Sequence, residues 1–196
     1  MTIKKKFSNA DGASVKVDMM YKHDYFKTYD GKHEKIIELP YEGDETSMWI
    51  VLPHKMKNYA LTNEKFEQFL PMMYQRQTNL HLPKFTFETP TFELKPYLKK
   101  MGLLAAFEDY ADFSGMREEK DLKIGTALHK AKIIVNEEGT EAAAATVIGM
   151  VKITSASTPP PIFEFNVNKP FYYLIKDNKT NSILFLGKMN KMEAAE

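Results

Sequence analysis

Cysteine is missing altogether from this chain of 196 residues. That absence removes disulfide frameworks, thiolate metal sites and thiol catalysis together. It leaves the redox compartment undecided, because disulfide-free proteins also occur outside cells. A surplus of one charge sign is lacking too. Against 27 Lys and Arg stand 26 Asp and Glu, a formal net charge of +1, so no basic footprint points to nucleic acid or an anionic membrane surface. No apolar run approaches bilayer-spanning length. Met1-Thr2-Ile3-Lys4-Lys5-Lys6 leads into no apolar stretch of the kind a secretory signal needs. His23, His33, His54, His81 and His129 are scattered without metal-ligand spacing, and no motif indicates a metal or cofactor. Glu118-Glu119 and Glu137-Glu138 read as solvated carboxylates rather than an acid/base dyad, and Ser114-Gly115 is no nucleophile elbow. Lys4-Lys5-Lys6 and Lys99-Lys100 stop short of a basic patch, so a solvated surface is favoured over polyanion binding. Nothing in the residues indicates an enzyme.

What is present is strand signal. Val15, Val17 and Met19 alternate with Lys16 and Asp18, the pattern of a half-buried strand. Asp30-Gly31 marks a hairpin between Tyr25–Tyr29 and Lys35–Leu39. Ser47-Met48-Trp49-Ile50-Val51-Leu52 is a continuous apolar run ended by Pro53, which belongs in a sheet covered on both faces. Phe66, Phe69 and Leu70 recur at helical spacing behind a cap at Thr62 or Asn63, with Pro71 at the far end. Leu80–Glu88 begins a second strand-rich block, and Leu94–Met101 predicts a short helix stopped by Gly102. Alternation returns at Ala131, Ile133 and Val135, with Lys130, Lys132 and Ile134 opposite. Phe171–Ile175 and Ile183–Leu186 predict two further strands, joined by a turn over Asp177-Asn178-Lys179-Thr180-Asn181. The expected class is α+β, mainly antiparallel sheets with a few short helices.

The most informative stretch is Glu137-Glu138-Gly139-Thr140-Glu141-Ala142-Ala143-Ala144-Ala145-Thr146. Every second side chain from Thr140 is small, so in a strand Thr140, Ala142, Ala144 and Thr146 share one face. Such a segment slides into a sheet without overpacking what lies beneath. On composition alone an alanine-rich helix fits equally well. The stretch precedes a loop running to Thr158 and the stop Pro159-Pro160-Pro161.

Together with its surroundings this decad resembles the proximal hinge of a serpin reactive loop. Leu82-Pro83-Lys84-Phe85, Leu98-Lys99-Lys100-Met101-Gly102-Leu103, Ala106-Phe107, Ala111-Asp112-Phe113-Ser114-Gly115-Met116 and His129-Lys130-Ala131 follow in serpin order before it. Phe165-Asn166-Val167-Asn168-Lys169-Pro170-Phe171 and Phe185-Leu186-Gly187-Lys188 resemble the family's segments after the loop. Met19-Met20-Tyr21 and Ser47–Pro53 fall in family order upstream. The likeness spans residues 1–196 as one C-terminal serpin region, with 137–161 as hinge and reactive loop. It implies a serpin-like fold lacking the family's N-terminal helices and the first strands of its large sheet.

The resemblance implies a suicide-substrate inhibitor of serine proteases, trypsin-, chymotrypsin- or elastase-like, with no catalytic group and no cofactor. A protease attacks the loop, and the severed segment inserts as a new strand before the acyl-enzyme hydrolyses. The family's spacing from Glu137 places the scissile bond at Ile153-Thr154; a one-residue shift gives Lys152-Ile153, and Met150 would favour chymotrypsin- or elastase-like enzymes. Glu137 resembles the hinge-base carboxylate, which usually pairs with a basic residue. His129 matches a histidine in a buried cluster under the large sheet. The family implies an extracellular, secreted setting, while the absence of a signal peptide keeps the cytoplasm open. A non-inhibitory, truncated binding module or protease substrate is the alternative. Either self-association or a complementary N-terminal serpin chain is expected to cover the incomplete sheet.

Overall fold

The computed structural model describes residues 2–137 and 160–195. In chain order it forms β1 (Thr2–Ser8), β2 (Ser14–Asp30), β3 (Glu34–Pro40), β4 (Thr46–Pro53), α1 (Asn63–Phe69), β5 (Tyr74–Pro83), β6 (Phe85–Glu88) and β7 (Phe92–Glu93). These are followed by α2 (Lys95–Lys100), β8 (Leu128–His129), β9 (Lys132–Val135), β10 (Phe163–Asn166), β11 (Phe171–Asp177) and β12 (Ile183–Met189). The class is α+β, as expected.

The chain divides into two compact units, residues 1–85 with 135–196, and residues 86–134. The first holds an eight-stranded sheet in the order β10-β5-β2-β3-β4-β11-β12, with β1 also on β2. All its pairings are antiparallel except β10 with β5. The organising element is β2. The stretches around Val15–Met19 and Tyr25–Tyr29 prove to be one 17-residue strand, because β5 pairs with it unbroken from Met19 to Thr28. Asp30-Gly31 turns the chain into β3 with Thr28 opposite Ile37. β4 is buried from Ser47 to Pro53 and paired on both sides, by β3 and β11, as its unbroken apolar run requires.

Helix α1 begins where Thr62 offers its hydroxyl to the Lys65 amide. It buries Phe66 and Phe69 on Ile36, Trp49, Val51 and Leu174, closing one face of the sheet. Burying such side chains is worth roughly 1.5–3 kcal/mol each. Under Trp49 runs a polar seam. Glu38 accepts from Trp49 Nε1 at 3.1 Å and Ser47 Oγ at 3.0 Å, and its carboxylate lies 3.8 Å from Lys176 Nζ. Lys176 is 4% exposed and donates to Asn178 Oδ1 (2.8 Å) and Asn181 Oδ1 (3.2 Å) in the β11–β12 turn. Burial pulls the Lys176 ammonium below its ordinary pKa, and Glu38 opposes that pull.

The second unit carries little core of its own. Phe107 and Ala111 are buried, whereas Phe87, Phe92, Tyr97, Met101, Leu128 and Ile134 are exposed. Its strands form two ribbons, β6 with β9 and β7 with β8. Helix α2 ends at Gly102, whose φ of +97° only glycine adopts without strain.

Candidate functional site

The site expected from the sequence lies where β9 hands over to the alanine-rich stretch. Along β9 the alternation holds: Val135 is buried, Ile133 half-buried, and Lys132 and Ile134 exposed. Glu88 of β6 takes an ion pair from Lys130 and a second, at 3.6 Å, from Lys132. Thr89 fixes the preceding residue: the amides of Thr89 and Ala131 donate to Ala131 O and Thr89 Oγ1, each at 2.9 Å. Among the described residues β6 is the one strand beside β9. Its other edge has no partner there.

Two residues past β9, Glu137 is held from two elements. Thr2 Oγ1, at the start of β1, donates to Glu137 Oε1 at 2.5 Å. Lys84 Nζ, between β5 and β6, lies 2.8 Å from Glu137 Oε2. The Lys84 backbone is itself fixed, its amide donating to Asp18 O on β2 at 2.8 Å. Lys84 first, and then Thr2, pull the Glu137 carboxyl down to about 2. It is therefore ionised throughout the physiological range and serves as an anion for anchoring, not as a proton acceptor. The basic residue that pairs with Glu137 is Lys84. The sequence shows Lys84 inside Leu82-Pro83-Lys84-Phe85, but nothing local ties it to Glu137. Thr2 was not foreseen at all.

The chain from Pro160 onward is anchored differently. After Pro161, β10 lies parallel to β5 with Phe163 opposite Thr78 and Asn166 opposite His81. The Phe163 ring is covered by the Arg76 guanidinium at 3.5 Å and the Lys35 ammonium at 4.6 Å. The Val167 amide then donates to His81 O at 2.9 Å. Glu138, Gly139, Thr140, Glu141, Ala142, Ala143, Ala144, Ala145 and Thr146 lie outside the described residues. So do Met150, Lys152, Ile153 and Thr154.

His129 departs from expectation. It sits on β8 opposite Phe92 of β7, with the rings 5.3 Å apart edge to face, and it is exposed. Among the described residues no buried cluster surrounds it. Among the described residues, no group of three His, Cys, Asp or Glu side chains is placed to hold a metal ion.

Comparison with known proteins agrees with this arrangement. The sequence model of the family Serpin (serine protease inhibitor) matches residues 1–192. Human serpin B4 is 38% identical over 184 residues, covering 90% of this chain and 46% of that protein. A serpin-like protein of Methanosarcina acetivorans is 40% identical over 201 residues, covering 100% of this chain and 47% of that one. Among solved structures, Serpin48 of the insect Tenebrio molitor superposes with a TM-score of 0.74 at 34% identity, over 98% of this chain and 50% of that one. The chain spans about half the length of the curated relatives it matches. With the family model matched over residues 1–192 and these relatives, the chain belongs to the serpin family.

Proposed function

We propose that the chain is the loop-bearing half of a serine-protease inhibitor that works by strand insertion. The observation that carries this reading is Glu137 fastened to Lys84 and Thr2 at the end of β9, directly before the small-residue stretch. A fixed base is what a moving segment needs, since the chain beyond it must swing while β9 stays in place. Gly139 then supplies backbone freedom, and a strand with Thr140, Ala142 and Ala144 on one face enters a sheet without steric cost. The chemistry belongs to the protease. Its serine attacks the carbonyl of the scissile residue, Ile153 or Lys152, and the amine of the next residue leaves. The serpin contributes relaxation that outpaces hydrolysis of the resulting ester.

The open edge of β9 sets a physical condition. A segment inserted beside β9 alone gains about half the ladder bonds of one flanked on both sides, each worth roughly 0.5–1.5 kcal/mol net. Full trapping therefore calls for a second flanking strand, supplied by chain equivalent to the other half of the relatives. The same open edge favours a second reading, in which the chain is a protease substrate or binding module that is cut without trapping. Incubation with trypsin, chymotrypsin and elastase separates the two: trapping yields a covalent adduct stable in SDS, a substrate merely a nick near Ile153. Thr140→Arg places a charge on the inserting face and lowers the adduct yield. Unchanged yield in that variant refutes insertion.

A further inference from the structure

One face of the eight-stranded sheet carries a polar side-chain network that spans β1, β2, β5 and β10. On β5, Gln77, Asn79 and His81 share a face and stand opposite Tyr25, His23 and Tyr21 of β2. Asn79 is the centre. Its Oδ1 accepts from Tyr21 Oη at 3.0 Å and lies 2.6 Å from His23 Nδ1, and its Nδ2 donates to Glu164 Oε1 of β10 at 2.5 Å. Gln77 Nε2 lies 2.8 Å from the other ring nitrogen of His23. Beside this group His81 packs on Tyr21, with ring centroids 5.0 Å apart. Lys5 Nζ of β1 lies 3.2 Å from His81 Nδ1 and 3.3 Å from its Nε2. An ammonium can only donate, so the contact requires an unprotonated ring nitrogen on His81. Among the described strands β1 pairs with β2 alone, and Lys5 is a tie that reaches past β2 to β5. The same strand carries Thr2, one of the two groups that hold Glu137.

We infer that His81 is a pH-sensitive latch: its neutral ring holds Lys5 and so braces β1 against β5, and protonation drives Lys5 away and turns the imidazolium to Glu164. The groups that face His81 are Lys5 from β1, Tyr21 from β2 and Glu164 from β10; His23 reaches it only through Asn79. The two charged neighbours act in opposite senses. Burial first, and then Lys5, hold the imidazole below its ordinary 6.5, while Glu164 pulls it up. The ring is therefore neutral at physiological pH, and its change of charge falls on the acid side of the usual histidine range. As pH drops, the unfolded chain takes up this proton before the folded one does. The latch thus contributes in full above 6.5 and is lost as pH falls below that value. Glu164 gives the charged ring a second partner, so acid exchanges a tie to β1 for a tie to β10. The latch needs neither a cut nor a protease, and its test is independent of the loop reading.

Ring-proton NMR on the intact chain reads the latch directly. His81 is expected to titrate below 6.5. Lys5→Met keeps the aliphatic stem, removes the charge and moves that midpoint up, whereas Glu164→Gln moves it down. Lys6→Met, on the opposite face of β1, leaves it in place. Hydrogen exchange then reads the strand itself. Relative to the amides of β4, those of β1 lose protection between about pH 7.5 and 5 in the parent chain. His81→Gln abolishes that loss, because its amide oxygen accepts from Lys5 at either pH. A midpoint at or above 6.5, or one that Lys6→Met raises as much as Lys5→Met, overturns the proposal. So does an acid loss of β1 protection that persists in His81→Gln.

Discussion

The seam under Trp49 makes an unequal response to charge removal the sharpest test of the packing. Glu38 and Lys176 are both buried, and at 3.8 Å their gross attraction is ~4 kcal/mol at an effective dielectric of 20. Their other partners differ. With Lys176→Met, Glu38 keeps Ser47, Trp49 and, at 3.4 Å, Lys27, while a similar volume of apolar side chain fills the space. The expected loss is about 1 kcal/mol, since apolar replacement within a buried pair is often close to neutral. With Glu38→Leu, Lys176 keeps amide oxygens and only the weaker pull of the Asp177 carboxylate, and the Trp49 indole N–H loses its acceptor. An uncompensated buried charge costs about 3–5 kcal/mol, and the orphaned N–H contributes part of that range. The double variant removes both charges and is expected to be more stable than Glu38→Leu alone, by on the order of 2 kcal/mol. Trp49 is the sole tryptophan, so urea unfolding followed by its emission reports the site itself. A difference of about 3 kcal/mol between the single variants separates their midpoints by roughly 1–3 M urea. Alkaline pH adds a sign. The folded-state pKa of Lys176 lies below 10.5 and falls further without Glu38. Between that value and 10.5 the unfolded chain holds the extra proton, so raising pH restores stability to Glu38→Leu in that window. Equal losses in the two single variants, or a double variant no better than Glu38→Leu, would refute the reasoning.

Other expectations follow from the same structure. Leu174→Ala empties a fully buried position among Ile36, Trp49, Val51, Phe66 and Phe69 and should cost about 2–5 kcal/mol in denaturant unfolding. A carboxyl-carbon NMR titration should place the Glu137 midpoint near 2, and Lys84→Met should bring it back toward 4.5. Because that pKa is depressed, the Glu137 contribution to stability is present above 4.5 and is lost as pH falls toward 2; a midpoint unmoved by Lys84→Met would show that the pair does not form in solution. Burial raises the phenols of Tyr41, Tyr59 and Tyr173, so stability is intact below pH 10 and declines above it. Ultraviolet difference titration should then show these phenols ionising later than the exposed tyrosines. Thr62→Ala removes a long cap contact of 3.4 Å, and the loss should fall at the low end of the roughly 0.5–2 kcal/mol range for caps.

Much of the fold was legible because its signals are local. The two-residue alternation around Val17 and Ile133, the unbroken run of β4 and the Thr62 cap all operate within one or two turns of chain. Family order then indicated which half of the family's fold the chain carries. What escaped notice is nonlocal. The parallel seat of β10 on β5 is chosen by strands far apart in sequence, and no pattern within Phe163–Asn166 states its partner. Likewise β1 hid behind Lys4-Lys5-Lys6, which reads as solvated charge until β2 is known to lie alongside. Lys84 was visible as a motif residue, yet its pairing with Glu137 arises only when β5 and β9 end at the same place. His129 shows the reverse limit: residue type and family position suggest burial, but burial is conferred by neighbours.

The seat of the strands after Pro160 also determines what a cut at the proposed bond would leave behind. β10 is held by β5, and β11 lies between β4 and β12 in the middle of the same sheet. Hydrolysis at the proposed bond near Ile153 would therefore free a new terminus but not a peptide. The downstream piece stays woven into the fabric as a non-covalent subunit, two bands on a denaturing gel and one peak on a native column.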